Sequence, residues 1–211
     1  MAVTTIPTAG IANDAVDNTK LDLASNYAFT GTISGTGFNH LITTTISSSV
    51  TSVDFNSTYI NSSYKTYKII FRGITLSSND NLALRIGSSG TLLTTSNHQK
   101  GGLAFNFDGT VASISGTSDD KFNFGGHAEN TAGSEVQSGE VTMYDLTTSN
   151  GNKTIIYMGA RVGVNSNRAD YKCFINTTSQ ACDIVSFMVS GSQNMTAGNV
   201  SLYGFKSWKN I

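Results

Sequence analysis

Two polar segments of this chain carry residue types that bind sugars. The first contains Asn97-His98, and the second contains Asn167-Arg168 followed by Tyr171. Amide, imidazole and guanidinium groups bond sugar hydroxyls, and an exposed aromatic ring gives a flat contact surface, usually on loops of a rigid β scaffold. These five residues are the predicted receptor-binding residues. The alternative is that both segments are ordinary solvated loops.

The acidic residues do not form a pattern typical of an enzyme that cuts glycosidic bonds. Asp119 and Asp120 are adjacent, so on a strand their carboxylates would point to opposite faces, and a solvated turn explains them as well. Glu129, Glu135 and Glu140 lie in or after a glycine-rich stretch. The sequence has no Gly-x-Ser-x-Gly nucleophile elbow and no phosphate-binding loop. We therefore predict that the protein is not an enzyme.

Cysteine and histidine spacing predicts no metal ion and no cofactor. The two cysteines, Cys173 and Cys182, are too few for a four-ligand zinc site. They are either free thiols or a disulfide that staples a hairpin. The histidines, His40, His98 and His127, are isolated from one another.

Charge and hydropathy exclude two classes of partner. Charged residues make up 13% of the 211 residues, and the formal net charge is −1, whereas soluble domains average about 25% charged residues. Binding of nucleic acid phosphates needs clustered Lys and Arg, which this chain lacks. No segment has the roughly 20 apolar residues that span a bilayer. We predict neither nucleic acid binding nor membrane insertion.

The first 46 residues differ in character from the rest of the chain. Single small apolar residues alternate there with Asn, Asp, Thr and Gly, so one copy cannot bury enough surface to offset the entropy of ordering it. Three copies wound together would cover one another's apolar edges. We predict that residues 1–46 form an extended trimeric stalk and that the protein is a homotrimer.

Residues 47–211 show the period-two alternation of half-buried strands. In the clearest run Tyr67, Ile69 and Phe71 share one face, while Lys68 and Arg72 lie on the other. Turn signals such as 108–109 and 150–151 separate the runs. About a dozen short strands without an amphipathic helix predict an all-β fold, an antiparallel β-sandwich head of jelly-roll-like type.

Two sets of residues at opposite ends of the chain resemble parts of known proteins. Residues 11–21 and 26–35, within the segment 1–46 that we call the leader, resemble stalk modules of bacteriophage tail-fibre and related appendage proteins. Residues 52–55, 63–71 and 198–206, in the remainder of the chain, resemble a family of phage tail-fibre C-terminal heads.

The resemblance implies a homotrimer on a virion that is assembled in the host cytoplasm. Residues 1–46 would bind other virion proteins, and the head would bind a glycan or protein of the host surface. Several weak contacts combine into firm attachment through effective concentration. There are two alternative functions. The first is that of a capsid-decorating protein without a specific receptor, and the second is that of a carbohydrate-active enzyme.

Overall fold

The computed structural model describes residues 38–95, 98–124, 136–149, 151–162, 167–177 and 179–206. All regular secondary structure in these ranges is β-strand, so the predicted all-β class is confirmed. In the same ranges no helix has the length and apolarity needed to cross a membrane.

Thirteen strands follow one another along the described chain, with short turns between most of them. They are β1 (Phe38–Ile46), β2 (Ser52–Phe55), β3 (Thr66–Leu76), β4 (Leu82–Ser88), β5 (Thr91–Leu92), β6 (His98–Asn106), β7 (Val111–Asp119), β8 (Phe122–Asn123), β9 (Val136–Tyr144), β10 (Lys153–Val162), β11 (Arg168–Asn176), β12 (Ile184–Val189) and β13 (Met195–Phe205).

The strands form two antiparallel sheets. The large sheet has eight strands in the order β1-β13-β3-β9-β10-β11-β6-β7. The small sheet has the order β2-β12-β4-β5, and β8 also pairs with β4. Apolar side chains from both sheets meet in one core, so the predicted β-sandwich arrangement is confirmed. The face of each sheet that looks toward this core is called its inner face below, and the opposite face its outer face.

Strand β3 has the predicted burial pattern. Tyr67, Ile69 and Phe71 are buried, whereas Lys68 is half-buried and Arg72 is exposed. Alternation follows from the pleat, which directs successive side chains to opposite faces. The strand therefore contributes its apolar face to the core.

Four aromatic rings occupy the centre of the core. The rings of Phe71 and Phe187, from different sheets, have centroids 4.9 Å apart. Phe124 stacks on Tyr157 at 4.5 Å, and Phe71 lies 6.4 Å from Tyr157. All four side chains are almost fully buried. Such contacts add to the free energy gained from area burial, so this cluster holds the two sheets together.

The boundary of the β domain lies earlier than the sequence indicated. Residues 38–46, which we assigned to the leader, form β1 and pair with β13 from Phe38↔Phe205 to Ile46↔Gly198. The compact unit that contains them begins at Thr36. The predicted stalk before residue 38 lies outside the described residues, and so does its trimeric state.

The structure tests the predicted turn at residues 108–109 and the state of the two cysteines. A turn joins β6 to β7 at Asp108-Gly109, as predicted, and Gly109 has a φ of +86°, which favours glycine. Both Cys173 and Cys182 are free thiols, so the disulfide alternative is wrong.

Candidate functional site

His98, one of the predicted receptor-binding residues, is buried. The residue is 1% exposed, and its ring lies at 90° to the ring of Phe122, with the centroids 4.2 Å apart. Nδ1 donates a hydrogen bond to the Asp119 carbonyl at 2.7 Å, and Nε2 accepts one from the Asn176 amide at 2.9 Å. A ring in this position does not contact a receptor. The prediction for His98 is therefore wrong.

The buried imidazole predicts a loss of stability in acid. Burial lowers the pKa of His98 below its ordinary value of 6.5, because the charged ring loses hydration. The neutral ring thus contributes stability that is present above pH 6.5 and is lost as the pH falls through the lowered pKa. Protonation also places a second N–H against the Asn176 amide.

We expect His98→Gln to cost about 1 to 3 kcal/mol at pH 7.5, the value for an unsatisfied buried polar group. Because the wild type loses the His98 contribution in acid, the cost should shrink at pH 5. Urea unfolding at both pH values measures it. His40→Gln is the control, since His40 is exposed and its removal should cost little. A cost for His98→Gln that is equal at both pH values would contradict the prediction.

The second predicted segment does not form one surface. Asn167 is exposed before β11, and its carbonyl accepts a hydrogen bond from the Phe107 amide at 3.2 Å. Arg168 lies on the inner face of β11, whereas Tyr171, 45% exposed, lies on the outer face. Of the other predicted residues, Asn97 lies outside the described residues. The structure therefore separates the predicted receptor-binding residues.

Arg168 belongs to a charged cluster on the inner face of β11. Its Nε and Nη2 donate to one oxygen of Asp170, at 2.9 and 2.7 Å. Lys172 donates to the Phe124 carbonyl and lies 3.9 Å from Asp170. Burial lowers the pKa of Lys172 to about 8, but the side chain is 2% exposed and closed to a substrate. We interpret this cluster as structural.

Each carboxylate of the adjacent acidic pair forms ion pairs with different cations. Lys100 donates to the carboxylate of Asp119, and Arg85 donates to that of Asp120. An acid and a base that act together need to face one reacting bond, and these two carboxylates face different partners. Glu129 and Glu135 lie outside the described residues.

Among the described residues no group of three or more His, Cys, Asp or Glu side chains is placed to hold a metal ion. Carboxylates of these residues are instead engaged in hydrogen bonds. The carboxylate of Asp80, for example, accepts bonds from the backbone amides of Gly191 and Gln193, at 3.0 and 3.4 Å. Asp54 accepts a bond from the hydroxyl of Ser186 at 2.5 Å. These carboxylates fasten turns and strands.

The outer face of the large sheet is largely apolar and open from β9 across β10, β11 and β6 to β7. Strand register places Ile70, Glu140, Met158, Tyr171 and Leu103 in one row across five strands. Ten large apolar residues on this face are 36% to 58% exposed, and they are Ile70, Leu103, Phe105, Val111, Val136, Tyr144, Met158, Val162, Tyr171 and Ile175. Patches of this size on soluble proteins mark interaction surfaces.

A groove of about 600 Å³ runs along this face. The small residues Ser138, Ala160 and Ala169 leave a depression between Phe105 and the row that contains Met158. The groove has the size of a ligand site and an apolar lining.

The outer face of the small sheet is polar by contrast. Asp54 bonds Ser186 there, and Arg85 bonds Asp120. The register places Met188 opposite Ala83 on the same face, where Met188 is partly buried. Only one of the two outer faces therefore presents a large apolar surface among the described residues, and that face is the candidate functional site.

A smaller pocket of about 280 Å³ lies where β1 leads into β2. Hydroxyl groups dominate its lining, and such groups form hydrogen bonds with sugar hydroxyls or with water. None of the predicted binding residues lines this pocket, although the serine and threonine run at residues 43–49 is a sequence signal for it. The pocket is lined by Thr44, Thr45, Ile46, Ser47, Ser48, Val50, Ser52, Val53 and Asp54.

Comparison with protein-family models, with curated proteins and with solved structures found no match.

Proposed function

We propose that this chain is a structural protein of a phage virion, a fibre or short appendage that mediates multivalent attachment to the host surface. The β-sandwich is the head, which binds a host glycan or protein. The leader binds other virion proteins and joins three copies. Weak contacts from several heads combine into firm adsorption through effective concentration.

The observation that carries the proposal is the apolar outer face of the large sheet on a charge-poor β-sandwich. A surface of this kind is suited to assembly with other protein surfaces. The engaged carboxylates of Asp119 and Asp120 favour binding over hydrolysis. The resemblance of the leader to fibre stalks supplies the virion context.

Antibody labelling of phage particles tests the proposal. Antibodies raised against the full chain should label particles at the tail, and the purified full chain should slow phage adsorption to host cells. Label spread over the capsid without any effect on adsorption would favour the capsid-decorating alternative. Particles that carry no label would show that the proposal is wrong.

A separate measurement tests the enzyme alternative. We expect no new reducing ends when the full chain is incubated with host envelope polysaccharide, since Asp119, Asp120 and Glu140 each bond a cation. A reducing-end assay measures this. Turnover that disappears in Asp119→Asn or Glu140→Gln would contradict the prediction, whereas turnover that persists in both variants would indicate a contaminant.

A further inference from the structure

We propose that the outer face of the large sheet is an interface with a second copy of this chain. The inference rests on the described face itself and holds whether or not the protein belongs to a virion. Its central residues are Met158, Tyr171 and Leu103, which neighbour one another on β10, β11 and β6.

The area of the face matches that of an interface. Its ten large apolar residues are on average somewhat less than half exposed, so at about 150 to 200 Å² per fully exposed side chain they present on the order of 700 Å². A standard interface covers about 800 Å² on each partner. The face thus provides most of one side of a stable interface.

The extent of the face favours a macromolecule over a small ligand. The groove is bordered by Ile70, Phe105, Met158 and Tyr171. Beyond it the apolar surface continues to other strands, with Val111 on β7, at the sheet edge, 58% exposed. A ligand seated in the groove would leave that outlying surface in water. A flat protein surface covers both the groove and the outlying apolar surface.

Charge favours a second copy as the occupant. Where the face carries Lys68 and Glu140, the two bond each other at 3.0 Å. Arg72 is also exposed on this face, on β3, but β10, β11 and β6 place no charged side chain there. Two faces that meet over these three strands therefore do so without repulsion, and the net charge of −1 per chain adds little long-range repulsion. The leader, if it trimerises as predicted, holds copies at high effective concentration.

Charged substitutions on the two outer faces test the interface. Met158→Lys places a cation in the centre of the apolar face, next to Glu140, which helps the isolated chain to tolerate it. Met188→Lys makes the same change on the polar outer face of the small sheet. Leu103→Lys is a second variant of the apolar face. All are made in the full chain, and thermal melts confirm folding.

Sedimentation velocity gives the first readout. We expect the wild type to be an oligomer at micromolar concentration. Met158→Lys and Leu103→Lys should raise the dissociation constant of the oligomer at least tenfold, because association would bury an added charge in an apolar interface, and Met188→Lys should not. A monomeric wild type would overturn the proposal. A monomer that binds an apolar dye, and loses it in Met158→Lys, would identify a ligand groove instead.

The native thiols give a second readout, which works even if the leader alone holds the copies together. Cys173 lies on the outer face, opposite Ile156, whereas Cys182 is buried and its pKa is raised to about 11 by that burial. Maleimide labelling of Cys173 should therefore be at least tenfold faster in Met158→Lys than in wild type or Met188→Lys. Unchanged labelling in an unchanged oligomer would place the interface elsewhere and overturn the proposal.

Discussion

Replacing Phe71 with alanine is expected to lower the free energy of unfolding by about 3 to 5 kcal/mol, the usual cost of removing a buried aromatic ring. Phe71 is 1% exposed and contacts Phe187 of the small sheet, 4.9 Å between centroids. The alanine variant leaves a cavity between the sheets, which the rigid strands on either side do not fill. Urea unfolding followed by circular dichroism measures the change in the free energy of unfolding.

Lys68→Ala is the matched control on the same strand. Its ammonium group bonds Glu140 at 3.0 Å, but both side chains are partly exposed, at 21% and 39%. Solvent-accessible ion pairs contribute little, so the loss should stay well below 1 kcal/mol. Equal costs for Phe71→Ala and Lys68→Ala would show that the two faces of β3 are not distinguished as described.

Removal of residues 1–35 is expected to abolish particle binding and to lower the apparent affinity for host cells by about two to four orders of magnitude. The reason is valency: under the proposed function the leader joins the heads, and each head alone binds weakly. Cell-binding assays with the full and shortened chains measure the difference. An artificial trimerising segment in place of the leader should restore cell binding without restoring particle binding.

The residue at which the shortened chain begins decides whether this experiment measures the loss of valency alone. A chain that begins at residue 47 also lacks β1, which pairs with β13 and contributes Ile46 to the core. Its loss of binding would reflect a damaged sandwich as well as lost valency. If the trimerised head binds no host cell while the leader alone binds particles, receptor binding is wrong and capsid decoration takes its place.

The sequence predicted the fold class and the buried face of β3, but it did not predict the apolar outer face. Alternation identifies which residues share a face, not which face is covered. On β3 the large apolar residues point inward. On β6 the larger Leu103 and Phe105 point outward, while the small Ala104 is buried. Because β6 has apolar residues on both faces, tertiary packing determines which of the two faces is buried.

The internal roles of two candidate receptor-binding residues, His98 and Arg168, were not predicted for a different reason. Polar side chains look alike in sequence whether they bind a ligand or complete an internal network. His98 begins β6 and bonds Asn176 on the neighbouring strand, a pairing of residues 78 positions apart. Likewise Arg168 bonds Asp170, two positions away on the same face. Only the register of β6 against β11 brings His98 to its partner, and a single sequence does not contain that register.

The position of β1 at the edge of the large sheet has a mechanical consequence. Any pull on the leader enters the sandwich through β1, which within the described residues pairs along its length with β13 alone. Those ladder hydrogen bonds take the load before the aromatic core does. Rupture force and melting temperature are then separate properties: Phe71→Ala lowers the second, while a shorter β1 ladder lowers the first. Under load, a tethered head would lose β1 from the edge of the large sheet before its core unfolded.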